Sequence, residues 1–494
     1  MSGTHGAGVG SEGSGPRGWP VPGVGGFDAW HAVNAAWDVW AGSQADAATL
    51  ARRAAARLAD LLKTARASPY FEARLRPLGD PARIRLEDIE PTTRGELMAR
   101  FDDWCTDREV TRERVDAFLA DPQRVGHAFL GRYAVWTSSG TTGTPGIYVH
   151  DARALAVYDA LEMLRFRGLD HPSALTGAFA RLASAPWRGG ERFAMVGATG
   201  GHFAGNSSVE RMRRLGPWVA PRARVVSIMQ PLPQLVAELD AFRPTVLATY
   251  PTSAELLAGE QLAGRLHLSL DEVWTGGEHL SAPVRAQVER AFGCGLRDGY
   301  GASEFMAIAF DCRQGSLHVN SDWVILEPVD RNHRPVAPGE ASHTVLLTNL
   351  ANRVQPLIRY DLGDSVVPQA GCRCGSAFPA IRVEGRTDDV LEFARDGGTV
   401  KLLPLALVTV LEDDAGVFEF QLLQTGARQL TLRLSPATAD LAQARRRCHT
   451  ALQHYLRENG LPDVRIHDDA RAPQRSDVSG KLRRIVRVHG SPGR

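Results

Sequence analysis

Leu50, Leu58, Leu61 and Leu62 recur at three- and four-residue spacing on an alanine- and arginine-rich background between Asp46 and Ser68. That spacing gathers the apolar side chains on one face and predicts an amphipathic helix. Further on, the apolar runs Ala134–Trp136, Phe193–Val196, Val225–Ile228 and Val246–Ala248 are separated by helical or glycine-rich stretches. Short buried strands alternating with helices predict α/β architecture. One helix is clearly punctuated: Ser281 caps it, Pro283 sits in its first turn, Val284, Val288 and Phe292 share a face, and Gly293 ends it.

The pattern changes toward the carboxyl end. Val417–Gln424 and Leu430–Leu434 predict a hairpin around Thr425–Gly426, the second strand alternating apolar and polar residues. Asp440–Asn459 then predicts a helix with Leu441, Ala444, Cys448, Leu452 and Tyr455 on one stripe and Gly460 as its stop. A small α+β unit follows from these elements, its boundary at the polar turn Gly385–Asp389. The expected organisation is a flexible glycine-rich tail over 1–26, a large α/β domain over 27–386 and a small mobile α+β domain over 387–494.

Composition narrows the function classes. Lys plus Arg number 57 against 56 Asp plus Glu, a net charge of +1 that excludes a polybasic nucleic-acid binder. Hydrophobic residues at 44% and charged residues at 23% describe a folded globular chain, not a disordered one. No apolar run approaches the roughly 18 residues of a membrane span, and the first 26 residues lack the charged start and apolar core of a secretion signal. Six cysteines in 494 residues do not make a disulfide framework, so a reducing cytoplasm is expected.

Thr137–Gly146 reads TSSGTTGTPG directly after an apolar strand. Its glycines permit tight turns, and its hydroxyls and backbone N–H groups suit phosphate oxygens. A Walker loop is excluded by spacing and by the missing lysine. Val196–Phe203, VGATGGHF, nearly spells a dinucleotide fingerprint, but Phe203 stands where the third glycine must be, which argues against nicotinamide chemistry. The cysteines are grouped: Cys312-x5-His318 precedes Cys372-x-Cys374, with Gly371 and Gly375 beside the later pair. Three thiols and one imidazole form a closed tetrahedral set, the composition of a structural zinc site. Cys105, Cys294 and Cys448 stand alone and are assigned to core packing.

Three further segments, YGASE (Tyr300–Glu304), RYDLGD (Arg359–Asp364) and GRTDD (Gly385–Asp389), precede SGKLRR (Ser479–Arg484). In this order behind TSSGTTGTPG they resemble the signature set of the adenylate-forming enzymes, among them acyl-CoA synthetases, peptide-synthetase adenylation domains and luciferases. YPTS at Tyr250–Ser253 and GGEHL at Gly276–Leu280 resemble the phenylacetate–CoA ligase branch in particular. The resemblance implies a soluble AMP-forming ligase that activates a carboxylic acid, expected to be aromatic, as an acyl-adenylate and passes it on. ATP would lie on Ser138, Ser139, Gly140, Thr141, Thr142 and Gly143, with Gly276, Gly277, Glu278, Tyr300 and Gly301 around the adenine. Asp364 would accept the ribose hydroxyls and Arg386 would support ribose or phosphate.

Glu304 would hold Mg2+, Ser303 would lie by the α-phosphate, and Lys481 would reach the α-phosphate and the attacking carboxylate. Asp388 matches the hinge about which the small domain rotates. Tyr250, Pro251, His202 and Phe203 would shape the acid slot. Leu391–Pro404, LEFARDGGTVKLLP, departs from that branch where its members contact the thiol acceptor. CoA is the favoured acceptor. A free-standing carrier protein, or an amine or hydroxyl in a biosynthetic pathway, is the alternative, and the resemblance leaves room for a homodimer.

Overall fold

The computed structural model describes residues 29–138, 145–166, 191–278, 280–383, 391–395, 398–402, 404–417, 419–436, 438, 440–474 and 484–487. β1 (Ala134–Thr137) and β2 (Ile147–His150) form an antiparallel pair that brackets the hydroxyl- and glycine-rich segment. Five strands then alternate with helices: β3 (Phe193–Gly197), β4 (Ala223–Ser227), β5 (Val246–Thr249), β6 (Glu272–Gly276) and β7 (Gly295–Ala302). They pair in parallel in the order β4-β3-β5-β6-β7. Their apolar runs suit strands covered on both faces.

The sheet continues antiparallel through β8 (Phe305–Asp311) and β9 (Leu317–Val319). β10 (Val324–Val329), β11 (Thr344–Asn349) and β12 (Tyr360–Asp361) form a separate three-stranded sheet. β13 (Val366–Pro368) and β14 (Ala380–Val383) complete the large sheet beside β9, making nine strands among the described residues. β3 lies between β4 and β5, so the chain moves to one side of β3 for β4 and returns across it to lay down β5 on the other. A crevice opens at the carboxyl ends of strands at such a switch.

The carboxyl-terminal elements are β15 (Leu391–Arg395), β16 (Gly398–Leu402), β17 (Phe420–Gly426), β18 (Gln429–Leu434), β19 (Arg465–Asp469) and β20 (Ile485–Arg487). β15 and β16 pair with each other, and the other four order as β19-β18-β17-β20. Helix Leu441–Glu458 buries Ala444, Cys448, Leu452 and Tyr455, the stripe its spacing predicts. The predicted hairpin is present, with Thr425 and Gly426 carried inside β17 as a bulge.

The predicted helices keep their caps. Asp46 accepts a 2.7 Å hydrogen bond from the Thr49 amide at the start of helix Ala47–Ala65. Ser281 caps helix Ala282–Phe292, and Gly293 ends it at φ 64°. Helix Ala29–Ser43 is new: it buries Ala35, Ala36, Val39 and Gly42, residues too small to mark an apolar face by leucine spacing. Among the described residues no helix is long and apolar enough to cross a membrane.

Candidate functional site

A cavity of about 660 Å3 opens at the carboxyl ends of the parallel strands. Ser138, Phe203, Tyr250, Gly276, Gly277, Glu278, Tyr300, Gly301, Ser303, Glu304 and Asp364, all named from sequence, line it. They are scattered over more than two hundred positions of chain, and strand order alone brings them together.

Glu304 stands just past β7 and is buried. The Tyr148 hydroxyl, from β2, donates to its Oε1 and is 2.8 Å from the Tyr360 hydroxyl. Arg94 places Nη2 3.6 Å from the same Oε1 and donates through Nε to Tyr360 at 3.3 Å. Burial raises the Tyr148 phenol well above its usual range, and the Glu304 charge adds to this, so Tyr148 remains a donor. Burial alone would lower the Arg94 guanidinium, yet Tyr360, Tyr148 and Glu304 together raise it. The Tyr148 and Arg94 contacts to Glu304 both fall on Oε1, which leaves Oε2 for a hard cation, a fit to magnesium's preference for a carboxylate plus phosphate oxygens.

On the opposite side, the Tyr300 hydroxyl donates to Asp364 Oδ2 at 2.9 Å, which fixes that carboxylate at the cavity wall. Glu278 accepts from the Thr252 amide at 3.0 Å, tying the β6 turn to the start of helix Pro251–Leu262. Gly277 sits at φ 79°, and a Cβ there would be 3.1 Å from the Tyr250 ring. Gly301 is tighter: a Cβ would meet the Met306 carbonyl oxygen at 2.0 Å, where the β7–β8 register shifts. Both turns therefore require glycine.

Ser138 marks the root of the predicted phosphate loop. Its amide donates to the Gly146 carbonyl at 2.9 Å and its Oγ accepts from the Gly146 amide at 3.1 Å. Thr137 in turn bridges Phe203, and its amide donates to the His202 carbonyl at 2.8 Å. The Val196–Phe203 segment is thus a wall of the same cavity. Ser139, Gly140, Thr141, Thr142, Gly143, Arg386, Asp388 and Lys481 lie outside the described residues.

Two expected slot residues do not line the cavity. His202 turns its ring onto Phe118, 5.2 Å between centroids, and its Nε2 is 3.2 Å from the Asp121 carbonyl oxygen. Its backbone joins the wall while its side chain belongs to the amino-terminal helices. Pro251 is buried in the first turn of its helix, where its ring starts the helix rather than meeting a ligand.

The donor atoms of Cys312, His318, Cys372 and Cys374 lie within 4.8 Å of one another. Cys312 Sγ and Cys372 Sγ are 3.7 Å apart, and Cys374 Sγ is 3.2 Å from His318 Nε2. A tetrahedral site with Zn–S bonds of about 2.3 Å has an S–S edge of about 3.8 Å. His318 Nδ1 lies 2.9 Å from the Phe378 carbonyl oxygen, an outer contact that leaves Nε2 to face the thiols. The four residues fit a structural metal. They join the end of β8, β9 and the β13–β14 connection, the edge of the sheet that carries Leu317, Gln369 and Ile381 into the cavity wall.

Arg94, Glu162 and Asp298 also line the cavity and carry no motif of their own in the sequence, and Arg484, the last residue of SGKLRR, lines it with them. Arg94 follows a Thr93 helix cap in a segment with no glycine-rich signature. Burial pushes the Asp298 carboxyl up to about 7, with Asp311 adding to the effect and a 2.7 Å hydrogen bond from Thr275 opposing it.

No family model matches the chain. Protein CapK of Staphylococcus aureus is 26% identical over 195 residues, which is 38% of this chain and 41% of that protein. The chain therefore spans about two fifths of the length of the curated relative it matches. Among solved structures, a 2-hydroxyisobutyryl-CoA ligase in complex with 2-HIB-AMP and CoA, in the thioesterification state, is 21% identical. That alignment covers 90% of this chain and 91% of that one with a TM-score of 0.51. An anthranilate CoA ligase bound to anthranoyl-AMP is 18% identical over 71% of this chain and 65% of that one, with a TM-score of 0.37. The first of these two structures establishes a shared fold.

Proposed function

We propose that this chain, built on the fold of the adenylate-forming acyl-CoA ligases, activates a carboxylic acid with ATP and transfers the acyl group from the resulting adenylate. One observation carries the reading. The root of a hydroxyl-rich loop, a buried glutamate with one oxygen uncommitted, and a Tyr300–Asp364 pair converge on a single cavity at the strand ends. Phosphate, magnesium and ribose would then meet Ser138, Glu304 and Asp364 respectively. Bound magnesium would neutralise phosphate charge as pyrophosphate leaves.

Arg94 supports the reading. Its Nη1 has no hydrogen-bond partner among the described residues while the side chain lines the cavity, so an anionic oxygen is its natural complement. Arg484, Val408 and Thr409 bring the carboxyl-terminal unit to the same cavity. Lys481 precedes Arg484 by three residues, a tether of at most about 10 Å. We assign Lys481 to the first half-reaction and Asp388 to the hinge that withdraws it for the second.

The acid is aromatic in this reading. Phe166 and Phe193 stand edge-on to Trp274 at 5.3 and 5.5 Å beside the cavity, an arrangement that receives a flat ring. CoA is the preferred acceptor. The divergent stretch Leu391–Pro404 keeps a second reading in play, transfer to a carrier protein or to a small-molecule amine or hydroxyl. Acid-dependent exchange of labelled pyrophosphate into ATP tests the first step, and silence across a broad acid panel overturns it. Mass analysis of products formed with CoA or with candidate amines then decides between the acceptors.

We assign the Cys312–His318–Cys372–Cys374 cluster to structural zinc. About one zinc per chain is expected by elemental analysis. Cys372→Ser should lose it and lower the melting temperature by several degrees, because the metal pins a sheet edge. Metal-free protein of undiminished stability refutes the assignment.

A further inference from the structure

The cavity runs past the strand ends and down one face of the sheet. Gly205, Ser208, Val209 and Met212, successive turns of helix Ala204–Arg213, wall it over about 10 Å. The amino end of this helix is anchored beside Thr137 and Ser138, where the phosphates are assigned. Its carboxyl end, with Met212, packs among Phe193, Val209, Val246 and Trp274 in an apolar cluster. The cavity thus has a reaction end and an apolar far end.

The carboxyl groups of Glu162 and Glu191 break the apolar character of the lining, and Glu162 stands at an irregular turn. Helix Ala152–Leu161 widens into a π-helical turn, Glu162–Phe166. Such turns redirect side chains and occur frequently at functional sites. Here the turn is held by Arg165, which donates to Asp322 at 2.7 and 2.8 Å and to Asn320 at 2.9 Å. Glu162, Met163 and Phe166 line the cavity. Among the described residues no group donates a hydrogen bond to the Glu162 carboxyl or forms an ion pair with it. Its electrostatic neighbours are Asp159 and Arg211, and Arg211 is already paired to Asp159 at 2.6 Å. Phe166, one turn on from Glu162, stands 5.3 Å from Trp274, which packs against that apolar cluster, and this places the turn beside the far end.

A carboxyl group set in an apolar chamber without a donor is costly unless a ligand supplies one. Burial, reinforced by Asp159 and opposed by Arg211, pushes this carboxyl up to about 7, as expected while no donor meets it. We propose that Glu162 is a specificity residue that accepts a hydrogen bond from an amino or hydroxyl group at the end of the acid remote from its carboxylate. The substrate class is then a donor-substituted acid, not an unsubstituted one. The orientation of the acid rests on the activation reading above.

Calorimetric titration of the full chain without ATP tests this with 4-aminocinnamate, 4-hydroxycinnamate and cinnamate. At least one of the two donor acids should bind at least about tenfold more tightly than cinnamate, and the better of the two identifies the donor. Glu162→Leu should bring the three within a few-fold of one another. Glu162→Gln, which keeps an acceptor oxygen and nearly the same shape, should retain part of the preference. Equal binding of all three acids, binding of none, or a preference that survives Glu162→Leu overturns the proposal. Should the preference follow Glu162 while pyrophosphate exchange stays silent, the activation reading fails and the donor site stands.

Discussion

Lys481→Ala is expected to reduce acid-dependent pyrophosphate exchange by about a hundredfold or more, the scale set by removing one group that meets developing charge in a water-poor site. Attack of a carboxylate on the α-phosphate brings two anions together, and no other lysine in the sequence lies within a comparable tether of the cavity-lining Arg484. Transfer of the acyl group from a supplied acyl-adenylate to the acceptor should remain within a few-fold of the unaltered chain. That step needs no neutralisation of pyrophosphate departure, and in the proposed swing Lys481 has by then withdrawn. Single-turnover assays of the two half-reactions read the split directly. Equal loss in both halves would mean that Lys481 supports the fold or the docking of the small unit, and the divided role would be abandoned. The pair Arg433–Asp469, in the carboxyl-terminal unit and absent from the cavity lining, serves as a control position: disturbing it should affect stability and both halves alike.

Elements with regular spacing and punctuation were legible in the sequence. Helices Ala47–Ala65, Ala282–Phe292 and Leu441–Glu458 declare themselves through side chains that cap their starts and apolar stripes along one face. The Cys/His cluster was legible because cysteine and histidine are rare enough for grouping to carry meaning. Arg94 and Glu162 were not. Nothing in a sequence of 57 basic and 56 acidic side chains distinguishes the few that a fold turns inward. The signal for Arg94 is its partners, Tyr148, Glu304 and Tyr360, which arrive from three other parts of the chain. The signal for Glu162 is a π-helical turn, a departure from regular spacing that no periodicity announces. His202 erred in the other direction: its neighbours Gly201 and Phe203 belong to the cavity region, but alternation at a strand-to-helix junction turned its ring onto Phe118.

Glu304→Gln should separate the two duties proposed for this residue, holding magnesium and balancing Arg94. Tyr148 can still donate to the amide oxygen, so the shape of the network persists, whereas the charge that balances Arg94 is gone. Breaking a buried ion pair from one side costs about 3–5 kcal/mol when the other charge remains. Arg94, with Nη2 3.6 Å from Oε1, would bear that cost in part, because its side chain opens onto the cavity. A lower melting temperature and a loss of pyrophosphate exchange of about a hundredfold are therefore expected together. The combination Glu304→Gln with Arg94→Met distinguishes them. Removing the stranded guanidinium should return much of the lost stability, since residues in direct contact are coupled. Exchange should not return, because neither magnesium nor phosphate regains its ligand. Raising the magnesium concentration should partly rescue Glu304→Gln alone if its Oε2 is a metal ligand. Rescue of activity by Arg94→Met would instead show that Glu304 acts only to neutralise Arg94, and magnesium would have to be assigned to other oxygens.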